Sequence, residues 1–239
     1  MKVLIQCAAS KTHCAGTLKT TSGEQVRFVA DPGRCASVHA GERCARPDNS
    51  SGEKGATWRD VLKRYNAQPD NPDGLLRAAD LYAPTEHEFR NLYHELADAF
   101  GWDNVFVLSA GWGLIRASFR TPKYDITFST QAKKDKPCVW RNTKDSQRVW
   151  LDFNHLQDAP INQDEPIHFF GGKDYRPLFY ALVTTLPGKK IVHYKGSVER
   201  RDGFEYAEYK GPEKNRTWHY RAAKEFLAEQ ASAVNPVAR

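Results

Sequence analysis

The 239-residue chain carries 35 Lys and Arg against 29 Asp and Glu, a formal net charge of +6. That length suits one α/β domain with insertions better than two full domains. No apolar run approaches the ~18–20 residues of a membrane span, and Lys2 leads straight into a strand-like stretch rather than a signal peptide. The expectation is a cytoplasmic protein with a single domain over residues 1–230 and a flexible tail at 231–239. No membrane partner and no obligate protein partner are expected. Five cysteines, Cys7, Cys14, Cys35, Cys44 and Cys138, are odd in number and widely spread, which argues for reduced thiols rather than a disulfide framework.

The first apolar run, Val3 to Gln6, predicts a buried strand. It ends in Cys7-Ala8-Ala9-Ser10-Lys11, a turn of small residues in which backbone N–H groups, Ser10 and Lys11 can gather around a phosphate or a polarised carbonyl. Residues 12–72 form a long polar insertion over the strand ends, with one short strand at Gln25 to Val29 and one short helix at Trp58 to Tyr65. His13, Cys14, Cys35, His39 and Cys44 are zinc-type ligands, but they lack a paired C-x-x-C knuckle, so no metal is expected. Thr85 to Phe100 reads as a helix with Phe89, Leu92, Leu96 and Phe100 inward, a Thr85/Glu88 capping box and Gly101 as its stop.

The strand Val105 to Leu108 runs into Ser109-Ala110-Gly111-Trp112-Gly113, where Gly111 and Gly113 flank a tryptophan that can offer its face to a base. Then comes Thr121-Pro122-Lys123-Tyr124-Asp125, in which Asp125 can enter a partly desolvated pocket and act as a base or as the partner of a developing cation. The strand Ile167 to Phe170 opens through Gly171-Gly172-Lys173-Asp174 into a helix reaching Leu186. The glycines and Lys173 read as an anion cradle, and Asp174 as N-cap and catalytic candidate. Ile191 to Tyr194 is the fourth strand. The closing helix, Thr217 to Gln230, follows Asn215 and Arg216 and starts with Trp218 and His219, the latter a candidate proton donor.

Strands alternating with helices predict a mainly parallel central sheet with helices on both faces and a site beyond the carboxyl ends of the strands. Walker, dinucleotide, serine-hydrolase and kinase signatures are missing, so no cofactor is expected. From Ile115 to Trp150 nine Lys or Arg, including Arg116 and Arg120, face three Asp. This basic stretch, with its interleaved aromatics, points to nucleic acid.

Four segments together, Val3 to Lys11 (VLIQCAASK), Ala79 to Tyr82 (ADLY), Val105 to Ile115 (VFVLSAGWGLI) and Lys123 to Phe128 (KYDITF), resemble an uncharacterised bacterial family distantly similar to the YaaA peroxide-stress proteins. In those proteins a Leu-Ser-x-x-x-Gly-Leu stretch precedes Pro-Tyr and a polar residue; here Lys123 takes the place of that Pro, with Pro122 one position earlier. The resemblance implies a role near DNA damage or modified bases. Combined with the residues above, it gives as leading expectation a DNA glycosylase-like hydrolase that removes a damaged or hypermodified base, in antiviral defence. Asp125 or Asp174 would oppose the cationic sugar, and Ser10, Lys11, Lys173 or His219 would meet the departing base. Cys7, Ser109, Gly111, Trp112, Gly113, Tyr124, Gly171, Gly172, Arg116, Arg120 and Trp218 complete the expected binding surface for single- or double-stranded DNA. Two alternatives remain open: DNA binding without catalysis, and hydrolysis of a small nucleotide or nucleoside.

Overall fold

The computed structural model describes residues 1–38, 41–142, 150–211 and 217–234. In chain order its elements are β1 (Lys2–Gln6), β2 (Val26–Val29), α1 (Pro32–Val38), β3 (Arg43–Ala45), α2 (Trp58–Asn66), β4 (Leu76–Arg77), α3 (Ala78–Leu81), α4 (Leu92–Phe100), β5 (Val105–Ser109) and β6 (Gly113–Arg116). There follow β7 (Arg120–Thr121), β8 (Tyr124–Asp125), α5 (Thr130–Asp135), β9 (Phe153–Asn154), β10 (Pro166–Phe170), α6 (Arg176–Val183), β11 (Lys189–Tyr194), β12 (Phe204–Glu208) and α7 (Trp218–Val234).

All four apolar runs are strands of one seven-stranded sheet, in the order β12-β11-β10-β1-β5-β6-β9. β1 pairs in parallel with both β5 and β10, and the parallel pairing continues through β11 to β12. β6 turns back antiparallel to β5 and carries β9 parallel to itself. Val3 to Ile5 and Val105 to Leu108 are fully buried, which explains why these strands read as continuous apolar runs rather than alternating ones.

Successive side chains of β10 show the covering of both faces. Phe169 stacks on Phe179 of α6, with ring centroids 4.1 Å apart, while His168 and Phe170 pack against Phe226 of α7 at 4.5 and 5.4 Å. The fold is therefore the expected mixed α/β domain with a mainly parallel sheet.

Several local expectations are corrected. Thr85 to Phe100 is not one helix: a 3₁₀ turn, His87–Phe89, precedes α4. The Thr85/Glu88 box does not form because α7 takes Glu88, whose carboxylate accepts from Arg221 at 2.7 Å and whose carbonyl accepts from Lys224 at 2.6 Å. Gly101 does end α4, at φ 91°. Asp174 is not the cap of α6; with Pro177 in the first turn, the N-cap falls on Tyr175. Residues 231 to 234 continue α7 as helix, and 235–239 lie outside the described residues.

The insertion is more than a polar cover. It contributes β2 and β3 to an all-parallel three-stranded sheet, β3-β2-β8, and buries Leu18, Val26, Phe28, Trp58 and Leu62 in the main core. Arg59 of α2 ties it down: its guanidinium donates to the carbonyls of Trp150 (2.7 Å), Trp112 (2.8 Å) and Gly111 (2.8 Å) and to Asp152 (3.0 Å). β8 pairs with β2 in the register Phe28↔Tyr124 and Val29↔Asp125, so the insertion sets the position of Asp125.

At Gly113, φ is 89° and a Cβ would sit 2.5 Å from the Phe153 carbonyl oxygen. Gly113→Ala is expected to cost roughly 2–4 kcal/mol, from left-handed strain together with backbone overlap; a urea midpoint equal to that of the parent would contradict this.

Burial pulls His193 and His219 down to about 3 and His168 to about 4, so all three are neutral in the folded chain at pH 7. The unfolded chain binds protons at these groups near pH 6.5. Their contribution is thus complete above pH 6.5 and is lost as the pH falls from there toward 4 and 3. Between pH 7 and 5 the unfolding free energy should fall, and His219→Phe should remove roughly 2 kcal/mol of that fall. An identical pH profile in the two proteins would count against this account.

Candidate functional site

Where the chain leaves the carboxyl end of β1, it lines a cavity of about 1580 Å³. Ala9, Ser10 and Lys11 form one wall; Asp80 of α3 and His94 of α4 form another; Arg27 of β2, Arg43 of β3 and Tyr124 and Asp125 of β8 close it. This is the position the parallel sheet predicts for a ligand.

The floor is a buried phenol network. The Ser109 hydroxyl donates to Tyr124 Oη at 2.9 Å, Tyr124 and Tyr82 share a hydrogen bond of 2.9 Å, and Cys7 Sγ lies 3.2 Å from Tyr175 Oη. Burial pushes Tyr82, Tyr124 and Tyr175 well above the usual phenol range, so the floor is neutral and polar. Lys11 Nζ stands 4.2 Å above the Tyr124 ring and donates to the Ala9 carbonyl at 3.3 Å. Burial pulls its pKa below the usual lysine value, against smaller raising effects of Cys7 and Asp125.

Asp125 and Asp80 line the cavity from different elements. Asp125 Oδ2 lies 3.6 Å from Arg27, whose other nitrogen donates to Glu42 at 2.9 Å. Its side chain is 51% exposed, so it stands on the rim rather than in the desolvated pocket expected of it. Asp80 accepts from Arg77 Nε at 2.7 Å and contacts His94 Nε2. Burial alone would raise Asp80, but the hydrogen bonds from Arg77 and His94 hold it below the usual carboxylate range.

Of the sequence-predicted residues, the structure brings Ser10, Lys11, Tyr124 and Asp125 together on the cavity, with Cys7 and Ser109 in the network at its floor. The rest lie elsewhere. Trp112 is fully buried against Phe28 and Phe153 and has no free face for a base. Gly111 is where the Tyr124 ring approaches, a Cβ there falling 3.0 Å from it, and the Gly113 turn packs on Phe153.

The anion cradle does not form as drawn, because the Gly172 N–H already donates to Gln6 Oε1 at 2.6 Å and Gly171 packs on the Phe169 ring. Lys173 is exposed beside Asp174, and neither lines the cavity; burial pushes Asp174 up, partly offset by Lys173. His219 is buried among aromatics, Trp218 stacks on Tyr209, and Asn215 and Arg216 lie outside the described residues.

The basic stretch divides. The Arg120 guanidinium is engaged locally, donating to the carbonyls of Gln68, Pro69 and Asp70, whereas the Arg116 backbone N–H donates to His155 and its side-chain Nε is buried without a hydrogen-bond partner among the described residues. Arg141 is paired with Asp152, and together with Lys133, Trp140 and Arg46 it lines a second, smaller basin of about 710 Å³. Lys144 and Arg148 lie outside the described residues. Among the described residues no three His, Cys, Asp or Glu gather as a metal site; Cys35 and Cys44 are hydrogen-bonded neighbours, and His39 is not described. Nor is any described helix long and apolar enough to cross a membrane.

Sequence reasoning missed Arg27, Arg43, Asp80 and His94. Asp80 had a signal, since it lies in the ADLY segment next to the network tyrosine Tyr82. No family model matches the chain, and no curated protein matches it.

Proposed function

We propose that the cavity receives a nucleoside unit turned out of a DNA strand and that the protein cleaves its N-glycosidic bond. The observation that supports this best is the placing of Asp125, held by Arg27 and by β2 pairing, on one cavity with the neutral phenols Tyr82 and Tyr124. A carboxylate so placed opposes the positive charge that develops on the sugar as the base departs, and orients the water that replaces it. The volume exceeds the ~300–1,000 Å³ of ordinary small-molecule pockets, which leaves room for flanking backbone as well as one nucleoside. The resemblance to the YaaA peroxide-stress proteins points toward the same substrates, damaged or modified bases in DNA.

A second reading, binding of DNA without chemistry, draws on the other basin, where Lys133 lies 4.8 Å from the Trp140 ring and Arg46 4.9 Å from that of Trp150. The two separate in one assay. Protein incubated with DNA carrying damaged or hypermodified bases should liberate free base, detected by mass spectrometry, and leave alkali-labile sites; salt-sensitive binding without release would replace the first reading by the second.

A further inference from the structure

Lys11 differs from Arg27, which lines the same cavity. Arg27 is paired with Glu42 and Asp125, whereas among the described residues no carboxylate lies within ion-pair distance of Lys11 Nζ; its contacts are one backbone carbonyl and the face of Tyr124. The other lysine on the cavity, Lys123, is exposed. From this geometry we propose that Lys11 is an imine-forming amine that condenses with the ring-opened aldehyde of an abasic deoxyribose, giving the protein a strand-cleaving lyase activity at the same site. This rests on the base-release reading for its natural substrate, but its chemistry can be tested without it.

A half-buried lysine with no carboxylate in ion-pair contact has a larger fraction of free amine at neutral pH than a solvated one, and the free amine is the nucleophile. Burial acts on Lys11 in that direction. The neutral amine adds to C1′, the carbonyl oxygen leaves as water, and the imine takes one proton from solvent to become cationic. That imine acidifies C2′; loss of the C2′ proton and departure of the 3′-phosphate with the C3′–O electron pair break the strand. Water then adds to the imine carbon and returns the Lys11 amine. No electrons are exchanged with any other reactant. Asp125, on the same cavity, faces the cationic imine and is placed to receive the C2′ proton.

The test uses the full chain and an oligonucleotide with a preformed abasic site, so it does not depend on knowing the base. Under borohydride the imine is reduced to a stable amine. The expected result is a covalent protein–DNA adduct whose tryptic map places the modification on Lys11, together with strand cleavage when borohydride is omitted. Lys11→Arg, which keeps the charge, should lose at least about 100-fold of both. No adduct with wild-type protein, or an adduct mapped to Lys123 or elsewhere, overturns the proposal. A folded Lys11→Arg protein that still yields the adduct overturns it too. Base release without an adduct would leave the glycosidic reading standing and this one refuted; an adduct without base release would do the reverse.

Discussion

Asp152→Ala is expected to lower the free energy of unfolding by about 3–5 kcal/mol. Asp152 is fully buried and accepts from Arg141 at 2.5 and 3.0 Å and from Arg59 at 3.0 Å. Two buried guanidiniums therefore share one carboxylate; Arg59 also donates to the carbonyls of Gly111, Trp112 and Trp150 and Arg141 to that of Ala110. Burial has already pulled Arg59 down to about 10, against the support of Asp152. Without the carboxylate, two like charges would face each other in the core, and Arg59 of the insertion would lose the one anionic partner among its four hydrogen-bond partners. Urea unfolding followed by circular dichroism reads the loss. A second change, Arg141→Met, should recover part of it because it removes one of the stranded charges. A single-variant loss under about 1 kcal/mol would show that the cluster does not hold the insertion in place.

Asp125→Ala is expected to slow base release by about 10²–10⁴-fold, while Asp174→Ala leaves it unchanged. The two carboxylates were equivalent candidates in the sequence, and the fold separates them: Asp125 lines the cavity, and Asp174 sits in the β10 turn outside it. Because the Asp125 side chain is half exposed and β8 is held through its backbone, stability should stay within about 0.5 kcal/mol of the parent, so a lost rate reports chemistry. Single-turnover release with protein in excess measures the step. Equal loss in both variants, or loss only in Asp174→Ala, would move the site to the other loop.

The four central strands were legible because strands buried on both faces must be apolar throughout, and Val3 to Ile5 and Val105 to Leu108 obey that rule. β12 was not. Its sequence, Phe-Glu-Tyr-Ala-Glu, belongs to a sheet-edge strand with none of its residues fully buried. The insertion hid its contribution for a related reason. Its strand at Gln25 to Val29 and its helix from Trp58 were legible, but the partners of Phe28, Trp58 and Arg59 lie between 30 and 93 residues away, contacts that no local periodicity reports.

At the site, Ser10, Lys11, Tyr124 and Asp125 were legible from their place after strands and in turns. Trp112 was misleading: glycines beside a tryptophan suit an exposed stacking platform, but equally a turn in which the ring packs inward and Tyr124 needs the space over Gly111. Arg27, Arg43 and His94 come to the cavity only through the pairing of β2 with β3 and β8 and the packing of α4 on β1, which is tertiary information.

The central claim, that this cavity stabilises a positively charged sugar with Asp125, is tested most directly without knowing the base. DNA containing a cationic pyrrolidine in place of one deoxyribose imitates the sugar as the base leaves. Wild-type protein should bind it at least about 100-fold more tightly than DNA with a neutral abasic analogue, and Asp125→Ala should lose most of that preference. Equal affinity for the two DNAs, or a preference that survives in Asp125→Ala, would contradict the account.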